Sequence, residues 1–176
     1  MRFSKYLLHR ALRQSAQKLT FVFDLDGVLT DGTFWYSKEG KELKRFGPHD
    51  AEALKKLKEF FEVIVISADT RGSEISKRRM SDIGLHLEIV SAENRVEFIQ
   101  NLKTQERKVV FVGDSLSDIP ALKVADFAFC PNDAFYPVHD NVDYSLITEG
   151  GRGVVAEILM IIRYSVRNES GFEGLE

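Results

Sequence analysis

Short runs of apolar residues alternate with amphipathic stretches along most of this chain. Short apolar runs are typical of strands that are buried on both faces of a parallel sheet. The stretches between them carry apolar residues at helical spacing. Strands that alternate with helices indicate an α/β fold, a Rossmann-like three-layer sandwich with a central parallel sheet. The predicted strands span 21–23, 63–66, 87–90, 108–112, 127–130 and 142–146.

The predicted helices fill the intervals between strands, and one more precedes the first strand. The pattern in residues 1–19 predicts an amphipathic N-terminal helix that covers an edge or a face of the domain. Asp50 stands at the start of the next helix, where it could cap that helix or point into a site. No linker divides the chain, so residues 1–176 form a single predicted domain with a disordered tail at 167–176. The other predicted helices span 50–61, 73–84, 92–102, 118–124 and 154–162.

An aromatic-rich insertion interrupts this alternation after the first strand. Two extended segments flank a turn that contains Gly40, which predicts a β-hairpin over residues 33–46. A two-stranded ribbon is only marginally stable alone. Phe34, Trp35 and Tyr36 therefore need a surface to pack against. We expect a subunit interface rather than the domain itself.

Composition narrows the class of protein. A length of 176 residues, with 44% hydrophobic and 29% charged residues, fits one soluble globular domain. The formal net charge of −3 gives no general attraction to nucleic acid or to an acidic membrane surface, and no apolar run approaches the ~20 residues of a membrane span. The single Cys130 excludes an internal disulfide, fits a packed strand and is compatible with a reducing, cytoplasmic location.

Polar residues follow several of the predicted strands. Asp24 and Asp26 end the first strand, Ser67 ends the second, and Asp114 and Asp118 follow the fourth. Ser67 or Asp118 alone could be a helix cap. Several acids that meet at the carboxyl edge of one sheet are hard to explain without a cation, because like charges so close together resist sharing one site. Carboxylate oxygens are the ligands that Mg²⁺ prefers, so the pattern predicts a magnesium site.

The same residues resemble the motifs of the haloacid dehalogenase superfamily. The segment 24–27 is similar to the first motif, Asp-x-Asp-Gly, and Ser67 to the second. Gly113 and Asp114, with Asp118, resemble the fourth motif, Gly-Asp-x-x-x-Asp. Arg95 stands about where the third motif supplies Lys or Arg.

Within the superfamily, the chain is most similar to the small 3-deoxy-manno-octulosonate 8-phosphate phosphatases. The resemblance rests on residues 26–32, 40–50 and 150–157. It implies a core without a cap domain, assembled as a homotetramer. It also implies Mg²⁺-dependent release of phosphate from an eight- or nine-carbon sugar-acid phosphate. The spacing of the motifs independently indicates that a cap domain is absent, because the hairpin and one helix fill the interval between the first two motifs.

The resemblance also implies a role for each site residue. Asp24 would attack phosphorus and form an aspartyl-phosphate, and Asp26 would protonate the leaving oxygen and later activate water. Mg²⁺ would be held by the Asp24 carboxylate, the Asp26 carbonyl and Asp114. The supporting roles are phosphate binding by Ser67 and Arg95, orientation of Arg95 or of a metal-bound water by Asp118, and contact with the sugar carboxylate or hydroxyls by Lys44 and His49.

Three departures from the octulosonate phosphatases concern the substrate. Residues 49–51 are His-Asp-Ala, where those enzymes have a segment similar to Arg-Asp-Gly. Residues 67–69 are Ser-Ala-Asp in place of Thr-Gly-Arg, and Arg95 stands in place of a Lys. A nine-carbon sugar acid is therefore at least as good an expectation as octulosonate.

Two functions of other classes stay open at this point. One is a non-catalytic assembly module, similar to domains fused to sugar-nucleotide cytidylyltransferases. The retained acids Asp24, Asp26 and Asp114 argue against it. The other is a phospho-accepting receiver domain. The pair Asp24 and Asp26 at the end of the first strand argues against it, because the accepting Asp of a receiver lies on a later strand.

Overall fold

Strands and helices alternate in the computed structural model, which describes residues 19–104, 107–166 and 174–175. The strands are β1 (Leu19–Asp24), β2 (Thr30–Ser37), β3 (Gly40–Phe46), β4 (Glu62–Ser67), β5 (Leu87–Ile89), β6 (Lys108–Val112), β7 (Phe127–Cys130) and β8 (Tyr144–Ser145). The helices are α1 (Pro48–Leu57), α2 (Ser73–Asp82), α3 (Arg95–Lys103), α4 (Ile119–Val124) and α5 (Val154–Val166). Short 3₁₀ turns cover Ala92–Asn94, Leu116–Asp118 and Tyr136–Asn141.

In the described residues, six strands form a parallel sheet in the order β5-β4-β1-β6-β7-β8. β1 lies inside the sheet, with β4 on one side and β6 on the other. Asp24 is level with Ile66 of β4, and Phe23 is level with Val112 of β6. The residues that follow these three strands therefore meet at one edge, where open α/β sheets bind their ligands.

Two apolar cores lie on the two faces of this sheet. Phe21 and Phe23 of β1 point into the larger core, which α1, α2 and α5 cover. Val22 points into the other core, which α3 and α4 cover. The alternation along β1 follows from the period of two in a strand. The predicted three-layer α/β architecture is thus confirmed.

Several predicted boundaries shift in the structure. The helix predicted over 50–61 begins earlier, at Pro48, because proline suits the first turn of a helix. It ends at Leu57. The last strand is shorter than the predicted 142–146 and spans only Tyr144–Ser145. The helix predicted from residue 92 opens as a 3₁₀ turn, and α3 begins at Arg95.

The chain ends lie largely outside the described residues. Leu19, predicted as the last residue of the N-terminal helix, is instead the first residue of β1, and the rest of that prediction falls outside the description. In the tail predicted at 167–176, Gly174 and Leu175 are described, and Leu175 is buried. None of the helices in the described ranges is long and apolar enough to span a membrane.

The hairpin predicted over 33–46 is confirmed, although it begins earlier, at Thr30. β2 and β3 pair antiparallel and form a separate two-stranded sheet. Phe34, Trp35 and Tyr36 are about half exposed, at 48%, 52% and 54%. The register shifts between Trp35 and Tyr36, which pair with Leu43 and Lys41. One extra residue on β3, Glu42, therefore makes a β-bulge.

Candidate active site

Asp24 is the last residue of β1, and the chain turns sharply after it. The N–H groups of Leu29 and Thr30 both donate to the Leu25 carbonyl, which closes the loop. Gly27 in this loop has φ +87°, and a Cβ there would lie 2.1 Å from an oxygen of Asp114. Only glycine lets the loop adopt this conformation with the Asp114 carboxylate against its backbone.

Arg95 joins two of the acids at the sheet edge. It is the first residue of α3 and is 3% exposed. Its Nη2 donates to Asp24 Oδ1 at 2.9 Å, and its Nη1 donates to Asp118 Oδ1. The forked guanidinium suits this double contact. Asp118 was predicted to orient either Arg95 or a metal-bound water. Its hydrogen bond from Arg95 fits the first of these roles.

Asp118 is held in place by its own loop. Its Oδ2 accepts hydrogen bonds from the N–H groups of Asp114 and Ser115 at 3.2 and 3.0 Å, and from the Ser115 hydroxyl at 2.7 Å. Its other oxygen faces Arg95. Because both oxygens are engaged, Asp118 supports the site rather than offering a free ligand atom.

Asp24 and Asp114 have the properties of cation ligands. Oxygens of Asp24, Asp114 and Asp118 lie within 4.8 Å of one another. Asp114 Oδ1 is buried without a hydrogen-bond partner among the described residues, and an orphaned buried oxygen is costly. A divalent cation would satisfy it and would match the all-oxygen donor set. The residues present therefore fit a hard divalent cation such as Mg²⁺.

The electrostatics of the same acids agree with that fit. Burial raises the pKa of Asp24 well above its usual range, and the neighbouring Asp118 adds to the effect against the opposing charge of Arg95. Burial and Asp118 raise the pKa of Asp114 to about 7. Both acids therefore favour a proton, or another positive charge, in this cluster.

Asp26 contacts a second group of side chains. Lys44 Nζ lies 2.8 Å from each of its carboxylate oxygens, and the Ser67 hydroxyl donates to Oδ2 at 3.2 Å. Lys44 also reaches Asp69 Oδ2 at 2.8 Å. Lys41 contacts the same Asp69 oxygen at 2.6 Å. The hairpin thus contributes two lysines to the edge of the sheet.

These contacts depend on residues that the sequence did not single out. In the sequence, Asp69 was noted only within the Ser-Ala-Asp departure at 67–69 and was given no contact of its own. Lys41 had no assigned site role, and neither did Ser76, whose hydroxyl oxygen accepts a hydrogen bond from Lys44 Nζ at 2.9 Å. Burial raises the pKa of Asp69, but hydrogen bonds from Lys41 and Lys44 outweigh it and hold that pKa well below its usual range. Asp69 is therefore a carboxylate that joins the hairpin to the loop after β4.

His49 lies apart from these acids. It is exposed and borders a cavity of about 370 Å³ near the hairpin base. Asp31, Arg45 and Arg152 line the same cavity. The structure therefore places Asp24, Asp114, Asp118 and Arg95 in one cluster, Asp26, Ser67 and Lys44 beside it, and His49 at a separate cavity.

A curated relative resembles this chain along nearly its whole length. It is the 3-deoxy-D-manno-octulosonate 8-phosphate phosphatase KdsC of Haemophilus influenzae, which is 30% identical over 168 residues. The match covers 92% of this chain and 92% of the relative. No family model matches the chain.

Solved structures of other proteins show the same fold. The 3-deoxy-D-manno-octulosonate 8-phosphate phosphatase of Moraxella catarrhalis, in complex with a magnesium ion, a phosphate ion and KDO, is 25% identical, with a TM-score of 0.76. The alignment covers 89% of this chain and 91% of that one. A Legionella pneumophila protein assigned to the HAD superfamily, subfamily III A, is 26% identical with a TM-score of 0.76, over 91% of this chain and 90% of that one.

Proposed function

Because this chain belongs to the family of 3-deoxy-D-manno-octulosonate 8-phosphate phosphatases within the haloacid dehalogenase superfamily, we propose that its substrate is an eight- or nine-carbon 3-deoxy-2-keto sugar-acid phosphate. The coarser activity follows from the family: the chain is a phosphoric monoester hydrolase that acts on a sugar-acid phosphate. The observation that carries the proposal is the placement of Asp24, Asp26 and Asp114 around one loop, with Arg95 bound to Asp24.

Asp24 is the proposed nucleophile. Its carboxylate oxygen attacks phosphorus, the bond from phosphorus to the sugar oxygen breaks, and an aspartyl-phosphate forms. Arg95 supports this role because its guanidinium holds Asp24 in one orientation at 2.9 Å. Water then attacks the aspartyl-phosphate, which releases inorganic phosphate and restores the carboxylate.

Asp26 is the proposed general acid and base. It donates a proton to the departing sugar oxygen and takes one from the attacking water in the second step. Its side chain is 29% exposed, so a substrate can reach it from solvent. Asp26 and Asp24 are two positions apart, and the turn after β1 lets them serve different atoms of one phosphate ester.

The carboxylates of Asp24 and Asp114, with the Asp26 carbonyl, would hold Mg²⁺. When bound, the cation supplies positive charge that neutralises these acids beside the phosphoryl group. Ser67, which is 1% exposed at the end of β4, would donate to a phosphoryl oxygen in place of its present contact with Asp26. Arg95 would offer its remaining N–H donors to another phosphoryl oxygen.

The sugar and the assembly are further parts of the proposal. His49 borders a cavity that Arg45, Arg152 and Asp31 also line, and the two guanidinium groups in this lining support contact with the sugar carboxylate. The half-exposed aromatic residues of the hairpin support a homo-oligomer, for which we propose a tetramer.

Phosphate release from a panel of eight- and nine-carbon sugar-acid phosphates in the presence of Mg²⁺ tests the function. We expect turnover of at least one member. Asp24→Asn should lower that rate by roughly 10⁴-fold or more because the variant lacks the attacking oxygen. Asp140→Asn, an exposed acid on a 3₁₀ turn, is the matched control.

Two results would contradict the proposal. Undiminished turnover by Asp24→Asn would remove Asp24 as the nucleophile. No phosphate from any panel member would favour the alternative of a non-catalytic assembly module.

A further inference from the structure

Lys44 is buried inside the site although it carries a charge. Its side chain is 0% exposed, whereas the Asp26 side chain beside it is 29% exposed. The Lys44 ammonium lies 2.8 Å from Asp26 Oδ1 and 2.8 Å from Oδ2. A substrate that enters from solvent therefore meets Asp26, with Lys44 behind it.

All three N–H donors of this ammonium are engaged. Besides Asp26, Lys44 contacts Asp69 Oδ2 at 2.8 Å and donates to Ser76 Oγ at 2.9 Å. Ser76 is fully buried, and its own hydroxyl proton goes to the Gly72 carbonyl at 3.3 Å, so its oxygen is free to accept from Lys44. A lysine ammonium has three donors and no acceptor. Lys44 consequently has no donor left for a sugar.

The partners of Lys44 are themselves fixed. Asp69 Oδ1 accepts the Gly72 N–H at 3.0 Å, and Asp69 donates its own N–H to the Ser67 hydroxyl at 3.0 Å. A Cβ on Gly72 would lie 2.4 Å from Asp69 Oδ2 and 2.8 Å from Lys44 Cε, so the backbone packs directly against the pair. The loop after β4 and the start of α2 thus form a rigid socket for the ammonium.

We propose that Lys44 is a positioning residue that holds the Asp26 carboxylate in the orientation for proton transfer to the leaving oxygen. This role replaces contact with the sugar, which its burial and its full set of partners disfavour. The proposal rests on the proposed function, because it assumes that Asp26 is the proton donor. Orientation matters because a misplaced proton donor loses much of the rate that general acid catalysis supplies.

If Lys44 positions the proton donor, the loss of kcat/KM on removing Lys44 should be larger for a leaving group that needs a proton. A sugar alkoxide needs protonation as it leaves, whereas p-nitrophenolate does not. Lys44→Met should therefore lower kcat/KM for the sugar-acid phosphate by roughly 10²-fold, and that for p-nitrophenyl phosphate much less. The main loss should be in kcat, because Lys44 does not contact the substrate.

Lys41→Met is the matched control. Lys41 shares the Asp69 oxygen with Lys44, and it lies 4.0 Å from the centre of the Phe34 ring. No contact between Lys41 and Asp26 is present among the described residues. The ratio of the two kcat/KM values should therefore stay as in the unmodified protein.

Combining Lys44→Met with Asp26→Asn distinguishes a positioning role of Lys44 from a general structural role. In Asp26→Asn the proton donor is already absent, so adding Lys44→Met should leave the ratio of the two substrates unchanged. If Lys44→Met does not fold, Ser76→Ala keeps the lysine, removes one of its acceptors, and should shift the ratio in the same direction by a smaller factor.

Three results would overturn the proposal. Equal losses on both substrates would show that Lys44 only maintains the fold. A higher KM for the sugar-acid phosphate with unchanged kcat would make Lys44 a substrate ligand. An undiminished effect of Lys44→Met in the Asp26→Asn background would separate Lys44 from Asp26. The proposed function fails on a different result, the absence of sugar-acid phosphate turnover by the unmodified protein.

Discussion

At the scale of single residues, the site concentrates more negative charge than its protein partners neutralise. Arg95 is the cation between Asp24 and Asp118. Asp114 stands beside them, and its Oδ1 has no hydrogen-bond partner in the part of the chain that the structure describes. Burial weakens the solvation that would otherwise stabilise these carboxylates. A proton and a divalent cation therefore compete for the same acids, and this competition should affect stability.

Without metal, the protein should lose stability as the pH rises from about 4 to about 7. The pKa of Asp114 is about 7 in the fold against an ordinary 3.8, so the folded state binds its proton more tightly than the unfolded chain does. The resulting stabilisation is fully present below pH 3.8 and is lost as the pH rises through 7. The difference corresponds to about 4 kcal/mol. Thermal unfolding in EDTA should show a melting temperature several degrees lower at pH 8 than at pH 5.

Added Mg²⁺ should narrow or reverse this pH difference, because the cation stabilises the ionised acids of the fold. Asp114→Asn should reduce both the pH dependence and the response to Mg²⁺. Asp140→Asn, an exposed acid, should change neither. Melting temperatures that are the same at both pH values in EDTA would contradict the charge imbalance.

The position of three acids at the sheet edge could be predicted from the sequence, for a physical reason. Asp24, Asp26 and Asp114 directly follow apolar strand runs, so their position at the sheet edge follows from local pattern alone. The socket of Lys44 depends instead on the bulge at Glu42. In a regular strand, Lys41 and Lys44 would point to opposite faces, but the extra residue lets both reach Asp69. A bulge leaves no clear signal in one sequence.

At the scale of elements, Asp50 links two helices. It lies in the first turn of α1, yet its carboxylate accepts the N–H groups of Gly153 and Val155 at 3.0 and 2.7 Å. Asp50 thus caps the start of α5. It does not cap its own helix, α1, and it does not point into the acid cluster, which were the two roles that the sequence left open. The sequence showed a capping residue type, and only the packing of α1 against α5 determines which helix it caps.

Removing this cap should destabilise the protein. Asp50→Ala leaves two buried N–H groups without their acceptor, and we expect a loss of about 2–3 kcal/mol in the free energy of unfolding. Denaturant unfolding measures the difference. Glu52→Ala is the matched control, because Glu52 lies on the same helix and is exposed. Equal stability of Asp50→Ala and the unmodified protein would contradict the cap.

At the scale of the whole molecule, the chain between the site residues decides whether a lid domain covers the site. The chain from Asp26 to Ser67 forms the hairpin, α1 and β4, and the chain from Arg95 to Asp114 forms α3 and β6. In the part of each interval that the structure describes there is no lid domain, as the spacing of the first two motifs predicted for the first interval. A site without a lid needs some other means of excluding water. A neighbouring subunit would supply it, and the exposed aromatic residues on the hairpin mark the surface on which such a subunit would pack.

The hairpin surface gives a test of assembly. Trp35 is 52% exposed and pairs with Leu43, which is 59% exposed, so the two present a continuous apolar surface. Burying a lysine ammonium in an apolar interface is costly. Trp35→Lys should therefore weaken self-association by at least about tenfold, which corresponds to a loss of about 1.4 kcal/mol in binding free energy. Sedimentation equilibrium should show a lower mass for this variant than for the unmodified protein.

Tyr164→Lys is the control for this change, because Tyr164 is 73% exposed on α5, far along the chain from the hairpin. It should leave the mass unchanged. If a neighbouring subunit shields the site, the Trp35→Lys variant should also lose turnover at dilutions where it dissociates, and regain it as the protein concentration rises. An unchanged mass for Trp35→Lys would exclude the hairpin as the interface, and full activity in a dissociated variant would exclude shielding by a partner.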